Sequence, residues 1–172
     1  MHRAAIVLAI AGLMSAAAPA AASGAQSSIA ADLEGSPIAV TMIADYYCHD
    51  RDFPRIHCFR SAAALERARA AGPSASSATT APATASASSD YVEIFSSQLY
   101  QGSYMVISQN YDALALIGWN DRIESYIAIN NASGVFYTDW FHGGYLLTFC
   151  CNGYAPTLSP TFNNAISSVY RT

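Results

Sequence analysis

The stretch "GWNDRIESY", residues 118–126, has a near-copy in "TFNNAISSVY", residues 161–170. In each stretch an aromatic residue precedes two Asn or Asp residues, an Ile lies three positions after the first of that pair, and a Ser lies five positions after it. So unusual a pattern, occurring twice, indicates an internal repeat, and a repeat constrains the architecture more strongly than any single residue does.

A second motif, aromatic-x4-aromatic-x-Gly, repeats in the same order along the chain. Its two instances are Phe95-Tyr100-Gly102 and, 41 residues later, Phe136-Phe141-Gly143. The Asn/Asp pairs begin at Asn120 and Asn163, 43 residues apart. Two independent motifs at nearly the same offset predict that residues 90–172 contain two copies of one unit.

Short alternating runs rich in β-branched and aromatic residues recur between turn signals from residue 90 onward. They are "YVEIF", "SYMVIS", "SYIAI", "GVFYT", "YLLTF" and "ISSVY". Their length and spacing are typical of an all-β sandwich or barrel, so we expect almost no helix in this block. A unit of about four short strands has one apolar face that it cannot bury alone, and two units are therefore expected to pack face to face.

These motifs closely resemble those of the βγ-crystallin superfamily, whose Greek-key units carry aromatic-x4-aromatic-x-Gly and the calcium signature Asn/Asp-Asn/Asp-x-x-Ser/Thr-Ser. The sequence also resembles the microbial metalloproteinase inhibitors that share this single-domain fold. The resemblance covers approximately residues 90–172. It implies an all-β, βγ-crystallin-like Greek-key β-sandwich built from two Greek-key motifs.

The resemblance further implies two calcium sites at one end of the domain, each shared between the loops. The Arg122 carbonyl would act with the Ser167 hydroxyl in one site. The Ala165 carbonyl would act with Glu124 in the other, and the Asn/Asp pairs would contribute further oxygens, as calcium requires. The implied metal residues are Asn120, Asp121, Arg122, Glu124, Asn163, Asn164, Ala165 and Ser167.

Two questions about these loops stay open at the sequence level. Glu124 stands where the family pattern has Ser or Thr, so its carboxylate could strengthen the site by its charge or displace the ion by its length. The loops could also be well-formed turns that no longer bind metal.

The first 25 residues have the pattern of a secretory signal peptide. A short basic start is followed by an apolar run, residues 4–14, and by a small-residue region with Ala-x-Ala at residues 20–22. The run is shorter than the roughly 20 residues needed to span a bilayer. We expect a secreted or periplasmic protein with no membrane span.

The charge of the chain argues against a nucleic-acid partner. The sequence has no Lys and carries a formal net charge of −4. Without Arg3 in the signal, 7 Arg oppose 12 Asp and Glu, which gives 7 − 12 = −5. A weakly acidic chain without a basic cluster lacks the charge that binding to a phosphate backbone requires.

Residues 72–89 contain only Gly, Pro, Ala, Ser and Thr and are interpreted as a linker. They follow a small N-terminal segment, residues 26–71. In that segment we expect one extended stretch over residues 37–48 and a short helix capped by Ser61. A hairpin disulfide between Cys48 and Cys58 is also expected, since so small a segment usually needs a covalent link.

The remaining cysteine, histidine and tryptophan residues have ordinary interpretations. Zinc at Cys48-His49 and His57-Cys58 is disfavoured, because neighbours on a strand point to opposite faces. For the same reason one of Cys150 and Cys151 is expected to pack inside while the other pairs or stays free, with a strained vicinal disulfide as a minor alternative. We expect His142 to be an exposed hairpin side chain, and Trp119 and Trp140 to lie in the core.

No catalytic arrangement stands out in the sequence. There is no G-x-S-x-G elbow and no spaced carboxylate pair, so we expect no enzyme. The leading hypothesis is a secreted calcium-binding domain with a structural or extracellular binding role. The alternative is a secreted proteinaceous inhibitor of metalloproteases, whose partner would be an extracellular protease; the linker and the N-terminal segment argue modestly against it.

Overall fold

The computed structural model describes residues 28–71 and 90–172, so the predicted signal peptide (1–25) and linker (72–89) lie outside the described residues. The strands are β1 (Ala30–Leu33), β2 (Ser36–Ile38), β3 (Tyr47–Asp52), β4 (Arg55–Phe59), β5 (Tyr91–Ser97), β6 (Gln101–Ile107), β7 (Ser125–Ile129), β8 (Gly134–Tyr137), β9 (Leu146–Phe149), β10 (Tyr154–Ala155) and β11 (Ser168–Arg171). One α-helix, α1 (Ala62–Ala71), and four 3-10 turns accompany them, at Val40–Asp45, Gln98–Tyr100, Leu114–Ile117 and Trp140–His142. No helix in this part of the chain is long and apolar enough to cross a bilayer.

The strands form two sheets that exchange segments. The first sheet has the order β10-β7-β5-β6-β3-β4-β1-β2 and the second the order β11-β8-β9. β10 follows β9 along the chain yet pairs with β7 in the first sheet. Reciprocally, Tyr111, between β6 and β7, bridges to Val169 of β11 in the second sheet. Each half thus contributes one segment to the sheet of the other half, which confirms the predicted all-β Greek-key class.

All six runs predicted as strands contain a strand, and residues 90–172 hold short 3-10 turns but no α-helix. The two signature isoleucines, Ile123 and Ile166, are both fully buried in one continuous apolar core. Tyr126 of the first half packs on Phe136 of the second with ring centroids 5.3 Å apart. Phe136 in turn packs on Phe149 at 4.7 Å. The two halves therefore close a single core between their sheets.

The aromatic hairpin motif repeats in the structure, but one residue later in the second half than predicted. Gly102 and Gly144 both adopt positive φ, 78° and 74°. The Tyr100 ring packs on Phe95 with centroids 5.6 Å apart. In the second half it is the His142 ring that packs on Tyr137, at 5.3 Å.

The second instance of the motif is therefore Tyr137-His142-Gly144, and the predicted Phe136-Phe141-Gly143 is wrong by one position. Neighbouring strand residues face opposite ways, so Phe136 points into the core instead of over the hairpin. The His142 side chain is one-third exposed. His142 is therefore an exposed hairpin side chain, as expected, and its ring also packs on Tyr137.

The N-terminal segment widens the first sheet. β3 pairs in parallel with β6, with Cys48 opposite Met105. β4 follows β3 antiparallel, β1 pairs with β4 in parallel, and β2 forms the edge. The prediction of one extended segment over residues 37–48 is wrong. A 3-10 turn lies between β2 and β3, and it buries Ile43 and Ala44 in the shared core.

Two local predictions for this segment are confirmed. A disulfide joins Cys48 to Cys58, which lie directly opposite each other on β3 and β4. The disulfide leaves neither sulfur for the disfavoured zinc site. α1 begins after Ser61, whose hydroxyl accepts a hydrogen bond from the Ala64 amide at 3.2 Å, as an N-cap does.

α1 covers the outer face of the first sheet. Leu65 is fully buried against a second apolar cluster, whose members from the sheet are Tyr91, Phe95, Tyr104 and Val106. Arg69 donates to Glu93 at 2.8 Å and to the Tyr91 hydroxyl. This sheet is therefore buried on both faces near its centre.

Two polar contacts, one buried and one partly buried, connect distant parts of the chain. The Asp50 carboxylate on β3 accepts hydrogen bonds from the Ser108 amide and hydroxyl, at 2.7 and 2.6 Å, and from the Tyr111 hydroxyl at 2.9 Å. Burial raises the pKa of Asp50. Next to this contact, the Arg171 guanidinium donates to the Ser108 carbonyl, to the Asp90 carboxylate at 2.6 Å and to the Asp90 carbonyl at 2.7 Å.

Cys150 and Cys151 occur in the turn between β9 and β10. Both are exposed and neither is in a disulfide. The expectation that one would pack inside is wrong, because the chain has left β9 and its strand alternation no longer applies. These residues instead form a tight turn, closed by a hydrogen bond from the Gly153 amide to the Cys150 carbonyl at 2.7 Å.

Replacing Gly118 tests how closely the N-terminal segment contacts the β block. Gly118 and Gly35 both have positive φ, 74° and 87°. A Cβ on Gly118 would overlap the Thr41 carbonyl, whereas a Cβ on Gly35 would meet nothing within 4 Å. We expect Gly35→Ala to lower the free energy of unfolding by about 1 kcal/mol and Gly118→Ala to lower it by about 1–3 kcal/mol more. Urea unfolding measures both, and equal losses would contradict the packing of residue 41 against residue 118.

His49 predicts an acid-dependent loss of stability. Burial, with His57 beside it, lowers the pKa of His49 from 6.5 to about 4. Between these values the unfolded chain binds more protons than the folded chain, so the free energy of unfolding falls as the pH falls. Between pH 7 and pH 5, the titration of His49 should lower the free energy of unfolding by about 2 kcal/mol. His49→Phe, which can keep the packing against Phe59, should reduce the pH dependence by that amount in urea unfolding at both pH values.

Candidate functional site

The two signature loops are joined by a reciprocal pair of backbone hydrogen bonds. The Asp121 amide donates to the Ile166 carbonyl, and the Asn164 amide donates to the Ile123 carbonyl, both at 3.0 Å. Asp121 and Asn164 have matching positive φ, 55° and 53°. Asn and Asp tolerate this conformation better than most residues, which explains the paired Asn/Asp positions in the sequence. The loops lie side by side, as the repeat predicted.

The last Ser of each signature fastens its loop to the aromatic hairpin of its own half. The Ser125 hydroxyl donates to the Ser97 carbonyl at 2.7 Å and accepts from the Tyr100 amide at 3.2 Å. The Ser168 hydroxyl makes the same two bonds, to the Asp139 carbonyl and from the His142 amide, at the same distances. Both hydroxyls are buried and fully used, so their role is structural.

An open cleft lies beside the first loop. Its lining residues are Asn120, Asp121, Thr138, Asp139, Trp140 and Ser167. The Ser167 hydroxyl donates to Asp121 Oδ1 at 3.1 Å, so the fifth position of the second loop reaches the first loop. Asn120 donates to Asp121 Oδ2 at 2.6 Å and accepts from the Trp140 indole N–H at 2.8 Å. The cleft therefore joins both loops and the second hairpin.

The equivalent place beside the second loop has different side chains. Glu124 Oε1 accepts from the Asn164 side-chain amide at 3.0 Å, so the fifth position of the first loop reaches the second loop. Asn163 Oδ1 is buried and has no hydrogen-bond partner among the residues that the structure describes. In the first hairpin, the hydroxyls of Ser96 and Ser97 lie against Gly102. The equivalent positions of the second hairpin, against Gly144, are occupied by Thr138 and Asp139. The two places therefore carry unequal charge.

The structure places the predicted residues in two groups. Ser167 lies with Asn120 and Asp121, and Glu124 lies with Asn164. The Arg122 guanidinium points away to Asp45, with Nη2 3.0 Å from Oδ1, so only its carbonyl is left for the predicted role. The predicted assignment concerned the carbonyls of Arg122 and Ala165 and stays a prediction.

Sequence reasoning missed the hairpin's share of the cleft. Thr138, Asp139 and Trp140 line it together with the loops. Trp140 is 52% exposed, so its predicted place in the core is wrong, whereas Trp119 is fully buried as predicted. The sequence did contain a signal for this hairpin. If the imidazole ring is counted as aromatic, Tyr137-His142-Gly144 aligns with the first motif, and Asp139 then aligns with Ser97 in the repeat.

The donors around the cleft suit a hard cation. Calcium prefers carboxylate, hydroxyl and carbonyl oxygens, and the cleft offers the carboxylates of Asp121 and Asp139 with the hydroxyls of Thr138 and Ser167. Across residues 28–71 and 90–172 no cluster of three or more His, Cys, Asp or Glu side chains is arranged for a metal. A site here would therefore depend on neutral oxygens as well as carboxylates.

Removing the buried loop-to-hairpin hydroxyls should destabilise the fold. Ser125→Ala and Ser168→Ala each leave a carbonyl and an amide without their partner, so we expect a loss of about 1–3 kcal/mol in the free energy of unfolding for each. Ser133→Ala removes an exposed hydroxyl that contacts Thr172. It should change stability by less than about 0.5 kcal/mol. Denaturant unfolding compares all three, and a loss at residues 125 and 168 no larger than at residue 133 would contradict the structural role.

No sequence family and no curated protein matches this chain. Among solved structures, a βγ-crystallin from Ciona intestinalis is 18% identical with a TM-score of 0.43, over 48% of this chain and 99% of that one. A βγ-crystallin from an archaeon is 18% identical with a TM-score of 0.43, over 48% and 98%. A βγ-crystallin domain from Flavobacterium johnsoniae is 22% identical with a TM-score of 0.42, over 47% and 92%.

The fold assignment rests on this chain's own geometry. β10 and Tyr111 exchange between the sheets. The signature loops exchange backbone hydrogen bonds. The two hairpins repeat the same ring packing and the same positive-φ glycine. Residues 90–172 therefore form a Greek-key domain with the βγ-crystallin fold.

Proposed function

We propose that this chain is an exported protein whose Greek-key domain binds calcium at its paired loops and is stabilised by it. The observation that carries the proposal is the cleft in which Asp121, Asp139 and Ser167 meet. These three residues come from the first loop, the second hairpin and the second loop. A cation held among them would connect three segments that are far apart in the sequence.

The stronger site in this proposal is the cleft beside the first loop. Asp121 and Asp139 would supply carboxylate oxygens, Ser167 its hydroxyl and Arg122 its carbonyl. The bound ion supplies positive charge that offsets the repulsion between the two carboxylates and links both loops. The hydrogen bonds that Asp121 now accepts from Asn120 and Ser167 hold its carboxylate at the cleft.

The weaker site lies beside the second loop. Glu124 would provide its one carboxylate, with the Ala165 carbonyl and the side chains of Asn163 and Asn164. The hydrogen bond from Asn164 holds the Glu124 carboxylate over this loop, which favours the interpretation that the carboxylate strengthens the site. The buried Asn163 oxygen, for which the described residues provide no hydrogen-bond donor, would gain a partner in the ion. Since affinity rises with ligand charge, we propose two sites of unequal affinity.

The export part of the proposal rests on the sequence of residues 1–25, with its basic start, apolar run and Ala-x-Ala. The Cys48–Cys58 disulfide supports it, because such bonds persist mainly in oxidising compartments. No contact among the described residues favours metalloprotease inhibition over calcium binding, and that alternative remains a prediction from the sequence.

Calcium should raise the thermal stability of the protein. A ligand that binds only the folded state stabilises it by mass action, by about 2.7 kcal/mol at a hundredfold excess over Kd. We expect a higher Tm in millimolar calcium than in EDTA, and two unequal binding steps by calorimetric titration of decalcified protein.

Matched variants locate the effect. Asp139→Asn should weaken the stronger step and reduce the calcium-dependent rise in Tm. Glu34→Gln removes one charge from an exposed residue that pairs with Arg60, far along the chain from both loops, and should leave the titration unchanged. Equal melting temperatures in calcium and EDTA would exclude the proposed function, and equal effects of the two variants would exclude the assigned cleft.

A further inference from the structure

Two adjacent free thiols lie at the crossing between the two sheets. Cys150 and Cys151 are both exposed and follow β9 of the second sheet directly. Three residues later the chain enters β10 of the first sheet. A reaction of these thiols would therefore modify the connection between the two sheets of the Greek-key domain.

The backbone around the pair is fixed. Cys151 and Asn152 have φ of 59° and 64°, and the facing turn at Asn130 and Asn131 has φ of 54° and 62°. Positive φ at both central residues is the pattern of a type I′ turn. Asn131 and Asn152 exchange two hydrogen bonds of 3.0 Å each, and the Cys151 amide donates to the Ala132 carbonyl at 3.2 Å. The thiols are thus presented to solvent on a turn that the facing turn holds in place.

Cys150 and Cys151 are neighbours along the chain, and both side chains reach solvent. A hydrogen bond between the thiols raises the pKa of Cys151. Because both thiols are exposed and adjacent, either one can attack an external disulfide first, and its neighbour is then placed to resolve the mixed disulfide.

The other cysteines of the chain cannot take part in this chemistry. Cys48 and Cys58 are fully buried in the core and already joined. An external thiolate has no access to their sulfurs. The exchangeable sulfur of the described residues is therefore confined to the turn at 150–151.

We propose that Cys150 and Cys151 form a redox-active dithiol site that reacts as one unit with external low-molecular-weight disulfides and closes to a reversible vicinal disulfide. In the first step the thiolate of one of the two cysteines attacks one sulfur of R–S–S–R, forming a mixed disulfide with R–S and releasing RS⁻. In the second step the neighbouring thiol loses its proton and its sulfur attacks the sulfur of the first cysteine, forming the Cys150–Cys151 bond and releasing the second RS⁻. The chain loses two electrons, and the external disulfide gains them as it becomes two thiols.

The vicinal bond should be easily reversed. Consecutive Cα atoms across a trans peptide are about 3.8 Å apart, whereas most disulfides join Cα atoms about 4.4–6.8 Å apart. A bond closed between neighbours is strained, and strained exposed disulfides have the more oxidising potentials. The same chain would then hold one inert disulfide in its core and one labile disulfide at its surface.

Intact-protein mass spectrometry after incubation with oxidised glutathione tests the proposal. The full chain should lose the mass of two hydrogen atoms and carry no glutathione. The matched variants Cys150→Ser and Cys151→Ser should each carry one glutathione, because no second thiol can displace it. Mild dithiothreitol should restore the starting mass of the wild type while the Cys48–Cys58 bond persists.

A second probe measures the pair without oxidation. Phenylarsine oxide is a trivalent arsenical that needs two neighbouring thiols. It should bind once per chain to protein in which Cys150 and Cys151 are both reduced, and it should not bind to either single variant. Wild-type protein that carries two glutathiones, forms disulfide-linked dimers, or fails to react with either probe would overturn the proposal. Because neither probe contains calcium, such a failure is independent of the proposed calcium function.

Discussion

The reciprocal hydrogen bonds between the two signature loops are the contact on which the rest of the domain depends. Each loop gives one amide and one carbonyl to its counterpart, at Asp121–Ile166 and Asn164–Ile123. The exchange sets both isoleucines into the one core. It also brings oxygens from three distant segments to the cleft at the edge of that contact. Core closure and the candidate site thus follow from the same pairing.

Much of this fold was predictable, because it depends on patterns that repeat within the sequence. The alternating runs located the strands, and the two Asn/Asp pairs located loops that do lie together. The exchange of Tyr111 and β10 was not predictable from alternation, since β10 has two residues and Tyr111 makes an isolated bridge. The 3-10 turn at Val40–Asp45 was missed because an apolar run of that length fits a strand equally well, and only burial of Ile43 by the β block decides it.

The candidate site was predictable in its loops and not in its hairpin. The family resemblance assigned Ser167 and Glu124 to sites shared with the opposite loops. In the structure Ser167 bonds to Asp121 and Glu124 to Asn164, while their role as metal ligands stays a prediction. Asp139 could not be found in the same way, because two overlapping aromatic pairs fit the second hairpin. Side-chain packing chose Tyr137 with His142 over Phe136 with Phe141. With the motif at Tyr137 and His142, Asp139 lies in the cleft beside Asp121 and Trp140 is exposed. The assignment that is one residue off does not predict that these two carboxylates meet.

The bond between Arg171 and Asp90 places the last strand of the Greek-key block beside the residue that precedes its first strand. The Arg171 side chain is only 9% exposed, so this contact is a fixed part of the surface layer. A short peptide could join the two positions, and domains whose ends lie close together tolerate circular permutation. The block could then be opened at the turn of Asn130 and Asn131, and strand order along the chain would change while both sheets kept their neighbours.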